Sequence, residues 1–213
     1  MKAQRKITEA EKKRMARFQE KVAFLKADGY EESVHTIPIV RANILAMVIM
    51  LPFAAAIAVP YILQHGIGRI GAFNTYLLNL FLFIILAAAE MALREGIHGL
   101  TWGLLSPDGF SAIEFGFIKE YMTPYCYCGT PLTKGQYMIG SMMPTLILGF
   151  LQGTVAIWTG SFLIFTLSVV LMIGGGGDFL VAYLILRYKK KRSTLILMDH
   201  PTELGFAAFE KDA

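Results

Sequence analysis

A run of ionisable residues directly after a long apolar segment is the feature that most restricts how this chain can fold. Residues 77–89 are uncharged and mostly apolar, and Glu90, Arg94, Glu95 and His98 follow them directly. Ionisable groups are costly at the centre of a bilayer unless they find partners. We therefore expect this stretch to be a membrane helix whose charged residues serve a function.

The rest of the sequence is typical of an integral membrane protein. Over 213 residues the hydrophobic fraction is 55% and the mean hydropathy is +0.52, with the apolar residues concentrated in long runs. The first 38 residues are charged and show no cleavable signal, so we expect the first span to direct insertion. No phosphate-cradling loop and no Ser-His-Asp arrangement is readable in the sequence, which disfavours nucleotide-binding and serine-hydrolase functions.

The basic residues predict which side of the membrane each segment occupies. Ten of the twenty Lys and Arg residues lie at or before Arg41, and six lie at or after Arg187. Lys119 and Lys134 place the loop between spans two and three on the same side, whereas the outer loops carry only Arg69. We expect both termini in the cytoplasm of a bacterial cell, against anionic lipid of the inner leaflet rather than nucleic acid.

The apolar runs predict an all-α integral membrane fold with four spans in one domain. The predicted spans are residues 39–63, 76–105, 137–158 and 162–188. Within the membrane domain 39–188, alternating apolar residues and turn signals predict a short β-hairpin or re-entrant insertion over residues 106–136. Residues 1–38 would form a basic cytoplasmic segment, and residues 189–213 a cytoplasmic tail.

Residues 8–27 predict an amphipathic helix. Met15, Phe18, Val22 and Leu25 form an apolar stripe at helical spacing, and basic residues cover the remaining surface. Two positions for this helix are equally compatible with the pattern. It could lie on the cytoplasmic leaflet, or it could pack on the cytoplasmic face of the protein itself.

The two polar clusters of the predicted spans fall at a similar depth. Arg94 lies about 25 Å from the outer end of span two, and Asp178 about 24 Å from the outer end of span four. The glycines 174–177 allow another backbone to approach closely. We therefore expect spans two and four to meet, with Asp178 facing Glu95 and His98.

The spacing within the charged stretch suggests two kinds of chemistry. Glu95 and His98 share one helical turn, as in metal hydrolases where His binds the metal and Glu activates its water. Asp178 would be a reasonable further ligand from another helix. Alternatively, Arg94 could form ion pairs with Glu90 one turn earlier, or with Glu95 or Asp178.

In these motifs the chain resembles the zincin-like integral membrane peptidases of the uncharacterised-domain type, which are related in design to site-2 intramembrane metalloproteases. The resemblance covers most of residues 75–206. The motifs that carry it are Glu95–Trp102, Thr123–Cys128, Pro131–Lys134, Gly175–Leu180 and Asp199–Pro201. The resemblance implies zinc as cofactor, Glu95 as catalytic general base, and His98 and Asp178 as metal ligands.

One position departs from the family motif His-Glu-x-x-His. Arg94 stands where the family has its first histidine, and a guanidinium has no lone pair to give a metal. At ~6 Å and an effective dielectric of ~20, it would also repel Zn²⁺ by roughly 5 kcal/mol. We therefore expect a former zinc site converted into an ion-pair site, with Glu90 as a further possible partner of Arg94.

Two functions remain open from the sequence. The first is a degenerate, non-catalytic relative that binds a membrane protein partner through the former active-site cleft. The second is an active site-2-protease-like metallopeptidase whose altered zinc site recruits other donors, such as Cys126 or Cys128. A transporter is disfavoured because the charges lie in two spans and no internal repeat is visible.

Overall fold

The computed structural model describes residues 9–66, 77–118 and 123–212, which are mostly helical with two small β-sheets. The predicted outer loop with Arg69 and the topology residue Lys119 lie outside these ranges. In the described part, helix α1 (Glu9–Ala27) is followed by strand β1 (Glu31–Ile37), helix α2 (Ile39–His65) and helix α3 (Leu77–Leu105).

Two helical stretches are long and apolar enough to cross a membrane. The first, Arg41–His65, is most of α2, a single helix despite Pro52 and Pro60. The second, Lys134–Thr159, comprises α4 (Lys134–Pro144), a π-helical segment (Thr145–Leu151) and α5 (Gln152–Thr159). Membrane association follows from these helices, while the four-span topology and its orientation stay predictions.

A third candidate span is a broken pair of helices. Helix α6 (Phe162–Gly174) and helix α7 (Gly176–Arg187) meet at an angle of 43°. The glycines at the break allow close packing, because a Cβ on Gly176 would lie 2.8 Å from Ala46 of α2. The backbone beside Gly176 thus belongs to α2, the first predicted span, whereas Gly175 lies against Thr145 of the π-helical segment.

Helix α3 is also long enough to span, since 29 residues at 1.5 Å each cover about 43 Å. It carries three charged residues, Glu90, Arg94 and Glu95, within six positions. Among the described residues, two or three stretches are long and apolar enough to span a membrane, and α3 is not one of them. Its neighbours α4 and α6 pack along it, so these charges face other protein elements.

Strands β2 (Ile113–Ile118) and β3 (Thr123–Cys128) form an antiparallel pair after a short 3-10 helix (Gly109–Ala112). They lie within the segment for which the sequence predicts a hairpin or re-entrant loop. The pair packs against α3, where Phe115 of β2 lies beside Gly99. A Cβ at Gly99 would come within 2.4 Å of that ring, so the glycine permits the hairpin to approach.

The chain also forms a four-stranded antiparallel sheet that was not predicted from the sequence. Its order is β1-β6-β5-β4, with β4 at Leu132–Thr133, β5 at Thr194–Asp199 and β6 at Leu204–Lys211. Residues 194–211, which we interpreted as part of a tail, therefore pair with residues from the beginning of the chain. At Gly205 the backbone is left-handed (φ 144°), and a Cβ there would lie 2.1 Å from the His35 carbonyl.

Helix α1 packs on this sheet. Phe18, Val22 and Leu25 are each less than 8% exposed and contact a buried cluster that includes Met198 and Phe209. Burial of such side chains contributes about 1.5–3 kcal/mol each, as an upper estimate. Of the two positions open to this amphipathic helix, the structure has the one on the protein's own surface.

Polar contacts also join α1 to the β2–β3 pair. Arg14 is buried and its guanidinium lies 4.3 Å from the ring centre of Tyr125, a cation–π contact. Arg17 pairs with Glu114, and Lys21 Nζ lies 2.9 Å from a carboxylate oxygen of Asp108. One helix thus connects the sheet of the chain ends with the hairpin beside α3.

Candidate functional site

Arg94 joins two carboxylates from different helices. Its Nη1 donates to Glu95 Oε1 at 2.7 Å, and its Nη2 donates to Asp178 Oδ2 at the start of α7. The Arg94 side chain is only 16% exposed, and those of its partners are 9% and 22% exposed. A largely buried charge needs such partners, because unpaired it would lose its hydration without compensation.

His98 lies one turn further along α3 and completes the cluster. Its Nδ1 donates to the carbonyl of Gly140 at 2.9 Å, and its Nε2 lies 3.3 Å from Asp178 Oδ2. The ring stacks on Trp102, with centroids 5.0 Å apart. A backbone acceptor on one ring nitrogen is the usual way in which proteins aim the other nitrogen of a ligating histidine.

Glu95 connects the cluster to the hairpin. Its Oε2 accepts a hydrogen bond at 2.8 Å from the backbone N–H of Cys126 in β3, while Oε1 accepts from Arg94. Both carboxylate oxygens are therefore engaged. Through the bond to Cys126, Glu95 fixes the position of β3 relative to α3, and each of its oxygens keeps a further lone pair.

The predicted pairing of Glu90 with Arg94 is corrected by the structure. Glu90 Oε1 accepts a hydrogen bond from Gln152 Nε2 at 2.8 Å, across to α5. The two Nη atoms of Arg94 donate to Glu95 and Asp178, whereas Arg94 Nε and Glu90 Oε2 have no hydrogen-bond partner among the described residues. Glu90 therefore contributes a helix–helix hydrogen bond rather than an ion pair.

Sequence reasoning missed a second acidic group behind the first. Asp199, at the end of β5, accepts hydrogen bonds from the Tyr137 hydroxyl and, at 3.2 Å, from the Cys128 backbone N–H. Burial raises the pKa of Asp199 to about 6, against the effect of these hydrogen bonds. The motif Asp199–Pro201 was a signal for it, but nothing in the spacing indicated where the carboxylate would point.

This geometry can be compared with a known family. Residues 87–192 match the model of the family DUF3267, described as "putative zincin peptidase". The match supports a zincin-like family for this chain. It includes Arg94, Glu95, His98 and Asp178 and leaves out α1, β1 and α2.

No curated protein and no solved structure shows significant similarity to the chain.

A zincin-like family implies zinc, so the donor set decides whether the metal fits here. The two ligands that the resemblance assigns, His98 and Asp178, do lie together, but Asp178 Oδ2 already accepts from Arg94. Catalytic zinc takes three protein ligands and a water, and a guanidinium can replace none of them. The side chains present at this site therefore do not fit a zinc ion.

The structure also offers no substitute ligands for zinc. Among residues 9–66, 77–118 and 123–212, no group of three or more His, Cys, Asp or Glu side chains is placed to hold a metal. Cys126 and Cys128 are free thiols. Burial raises the pKa of both, that of Cys128 to about 12, which disfavours the thiolate form that binds metals.

Proposed function

We propose that this protein is a non-catalytic, zincin-like membrane protein that binds a membrane protein partner through the former active-site cleft. The zincin-like family and the membrane helices are the frame for this proposal. Within that frame, the absence of catalysis and the use of the cleft for binding are our inferences. In this proposal the protein resembles the site-2 peptidases in design, and both of its ends lie in the cytoplasm.

The observation that carries the proposal is the position of the Arg94 guanidinium. It lies between the carboxylates of Glu95 and Asp178, the same groups that a catalytic site would need as base and ligand. The ion pairs neutralise these buried acids, which is the electrostatic task that a metal would otherwise perform. Restoring a metal requires both the loss of this cation and the gain of a ligand.

The partner surface that we propose is the outer side of β2 and the adjoining face of α3. Phe115 and Phe117 of β2 are 62% and 50% exposed, and Leu104 of α3 is 70% exposed. An apolar segment of a membrane protein could pack on these side chains, and its backbone could pair with the exposed edge of β2.

The zinc content of the purified protein in detergent tests the first part of the proposal. We expect the wild-type protein to bind less than a tenth of an equivalent of zinc under conditions that load zincins. The Arg94→His variant, which supplies the missing ligand, should bind about one equivalent of zinc. Arg94→Lys is the matched control, since it keeps a cation and gives no ligand, and it should stay metal-free.

Two results would contradict this part of the proposal. Stoichiometric zinc in the wild type that disappears in His98→Ala would establish a metal site despite Arg94. A folded Arg94→His variant that fails to gain zinc would show that the ligand roles of His98 and Asp178 are wrongly carried over. Gel filtration of each variant separates loss of zinc from loss of folding.

Site-specific cross-linking tests the second part. A photo-reactive residue at Phe117 should cross-link to another membrane protein in native membranes. The same residue at Trp158, which is 85% exposed near the end of α5, is the control and should not. Equal cross-linking from both positions would contradict binding through the cleft.

An active metallopeptidase is the second candidate, and the orientation of His98 favours it. The Nδ1–H of His98 is held by the Gly140 carbonyl, so that Nε2 faces Asp178 as it would in a metal site. A rearrangement that moves Arg94 out would be needed before zinc could enter. Zinc-dependent cleavage of a membrane protein substrate, lost in Glu95→Gln, would establish this candidate.

A further inference from the structure

A second polar site lies where the last helix leaves the apolar zone. An open cavity of about 390 Å³ is bounded by the end of α7, by β1 and by Phe206 of β6. It is far along the chain from Arg94 and shares none of that cluster's residues. A ligand bound in this cavity would therefore be held by residues other than those of the Arg94 cluster.

Three basic side chains line this cavity. Arg187, Lys189 and Lys191 are all exposed, and no acidic residue is among the described residues that line it. Two acids beside it have other partners. Glu210 accepts a hydrogen bond from the Lys191 backbone N–H at 2.8 Å, and Glu31 pairs with Arg192. Among the described residues, the lining of the cavity thus carries three basic side chains and no carboxylate.

Neutral hydrogen-bonding groups lie between these cations. The Ser33 hydroxyl lies 3.1 Å from the Tyr188 hydroxyl and 3.2 Å from His35 Nε2. The His35 ring is held in place by stacking on Phe206, with centroids 5.3 Å apart. Hydroxyl groups and an imidazole N–H can donate to anionic oxygens, which complements the lysine and arginine charges.

The remaining wall of the cavity is apolar. Leu184 and Phe206 line it, and the neighbouring Leu186 of α7 is 64% exposed. Arg187 donates to the Tyr183 hydroxyl at 2.8 Å, a basic–aromatic pair of the kind enriched at membrane interfaces. A ligand that suits these walls has an anionic head and an apolar body.

We propose that this cavity binds the phosphate headgroup of an anionic phospholipid. A phosphate diester would accept hydrogen bonds from Ser33 and Tyr188 and face Arg187, Lys189 and Lys191. A soluble phosphate ester shares this headgroup chemistry, but it cannot use the apolar wall. The acyl chains of a lipid would extend along the exposed side of α7 toward Leu186, so we assign the site to lipid.

Native mass spectrometry of the full-length protein in neutral detergent tests this assignment. Dioctanoyl phosphatidylglycerol should bind at least about ten-fold more tightly than dioctanoyl phosphatidylcholine, because each basic residue beside an anionic headgroup contributes roughly a five-fold factor. Glycerol 1-phosphate, which has the head without the chains, should compete at least about ten-fold more weakly than the lipid.

A triple variant and a matched control locate the site. Changing Arg187, Lys189 and Lys191 together to Gln should weaken phosphatidylglycerol binding at least about ten-fold. Changing Lys12, Lys13 and Lys190 to Gln removes the same charge outside the cavity and should change binding less than about two-fold. An unchanged elution volume in gel filtration shows that each variant is folded.

Three outcomes would overturn the assignment. Equal losses in the two triple variants would mean a general electrostatic attraction without a site. Equal affinity for the two lipids would mean that the headgroup charge is not recognised. Displacement of phosphatidylglycerol by an equal concentration of glycerol 1-phosphate would assign the cavity to a soluble phosphate ester.

Discussion

The two sides of the polar cluster on α3 differ in how closely they correspond to a zincin site. On one side, His98 is oriented by the Gly140 carbonyl and faces Asp178, as a ligating histidine would be. On the other side, the Arg94 guanidinium donates hydrogen bonds to the carboxylates of Glu95 and Asp178. The groups that orient His98 are thus compatible with a metal site, whereas the positive charge between the two acids is a guanidinium.

This difference shows which interactions hold such a site together without a metal. The buried acids need a cation of some kind, and the guanidinium supplies one with two directed hydrogen bonds. The histidine needs only its backbone acceptor and the stack on Trp102, neither of which depends on zinc. The two sides should therefore respond differently to mutation.

Loss of the Arg94 cation should have the largest effect on stability. Arg94→Met leaves Glu95 and Asp178 with like charges and no cation, which should lower the free energy of unfolding by about 3–5 kcal/mol. Thermal unfolding in detergent measures the change. Adding Asp178→Asn should recover part of the loss, and Arg187→Met, at an exposed position, is the control with little effect.

If Arg94→Met instead leaves the unfolding temperature unchanged, the ion pairs contribute nothing and the two sides do not differ. A result in which Asp178→Asn worsens the double variant would also contradict the comparison. The carboxylate would then depend on some group other than Arg94.

The acid behind the cluster should give the protein a distinct pH dependence. Burial raises the pKa of Asp199 to about 6, from an ordinary value of 3.8. The folded state therefore holds a proton that the unfolded state releases, so this contribution is fully present below about pH 4 and is lost as the pH rises through about 6. The loss amounts to roughly 2–3 kcal/mol.

Asp199→Asn tests this, because an asparagine keeps an acceptor for Tyr137 and cannot ionise. The fall in unfolding temperature of the wild type between about pH 4 and 7 should be smaller in the variant. Glu20→Gln, at an exposed position of α1, is the control and should leave the profile unchanged. Identical profiles for wild type and Asp199→Asn would mean that this carboxylate titrates normally.

The histidine side should be sensitive to shape rather than charge. A Cβ at Gly140 would lie 2.0 Å from Trp102 Nε1, so Gly140→Ala must displace the ring on which His98 stacks. Overpacking of this kind costs about 1–3 kcal/mol.

Gly135→Ala, in the same helix, has nothing within 4 Å of its Cβ and is the matched control. It should be neutral or slightly stabilising, since alanine favours the helix by up to about 1 kcal/mol. Equal effects of the two substitutions on the unfolding temperature would show that close packing at Gly140 does not hold the His98 side.

The meeting of Asp178 with Glu95 and His98 could be predicted from the sequence because ionisable residues are conspicuous in apolar helices. Their cost in a bilayer forces them to face one another, and helix geometry then gives their depth. The pairing of Arg94 with Asp178 rather than with Glu90 could not be predicted, because both acids are within reach of Arg94 until the helices are placed.

The four-stranded sheet was beyond sequence reasoning for a different physical reason. Its strands are short and come from distant parts of the chain, so that β1 pairs with β6 more than 160 positions later. Leu195 to Met198 is a short apolar run with no period that separates strand from helix. The apolar stripe on α1 predicted that this helix packs on an apolar surface. That surface is the four-stranded sheet, which could not be predicted.

The smallest expected effect concerns Glu90, the acid that the Arg94 side does not use. Glu90→Gln should lower the free energy of unfolding by less than about 1 kcal/mol, because an amide can still accept the hydrogen bond from Gln152 Nε2. Glu95→Gln, one turn further and bonded to Arg94, should cost clearly more. If the two substitutions shift the unfolding temperature equally, Glu90 also stabilises the charge of Arg94, which would then have three acidic partners.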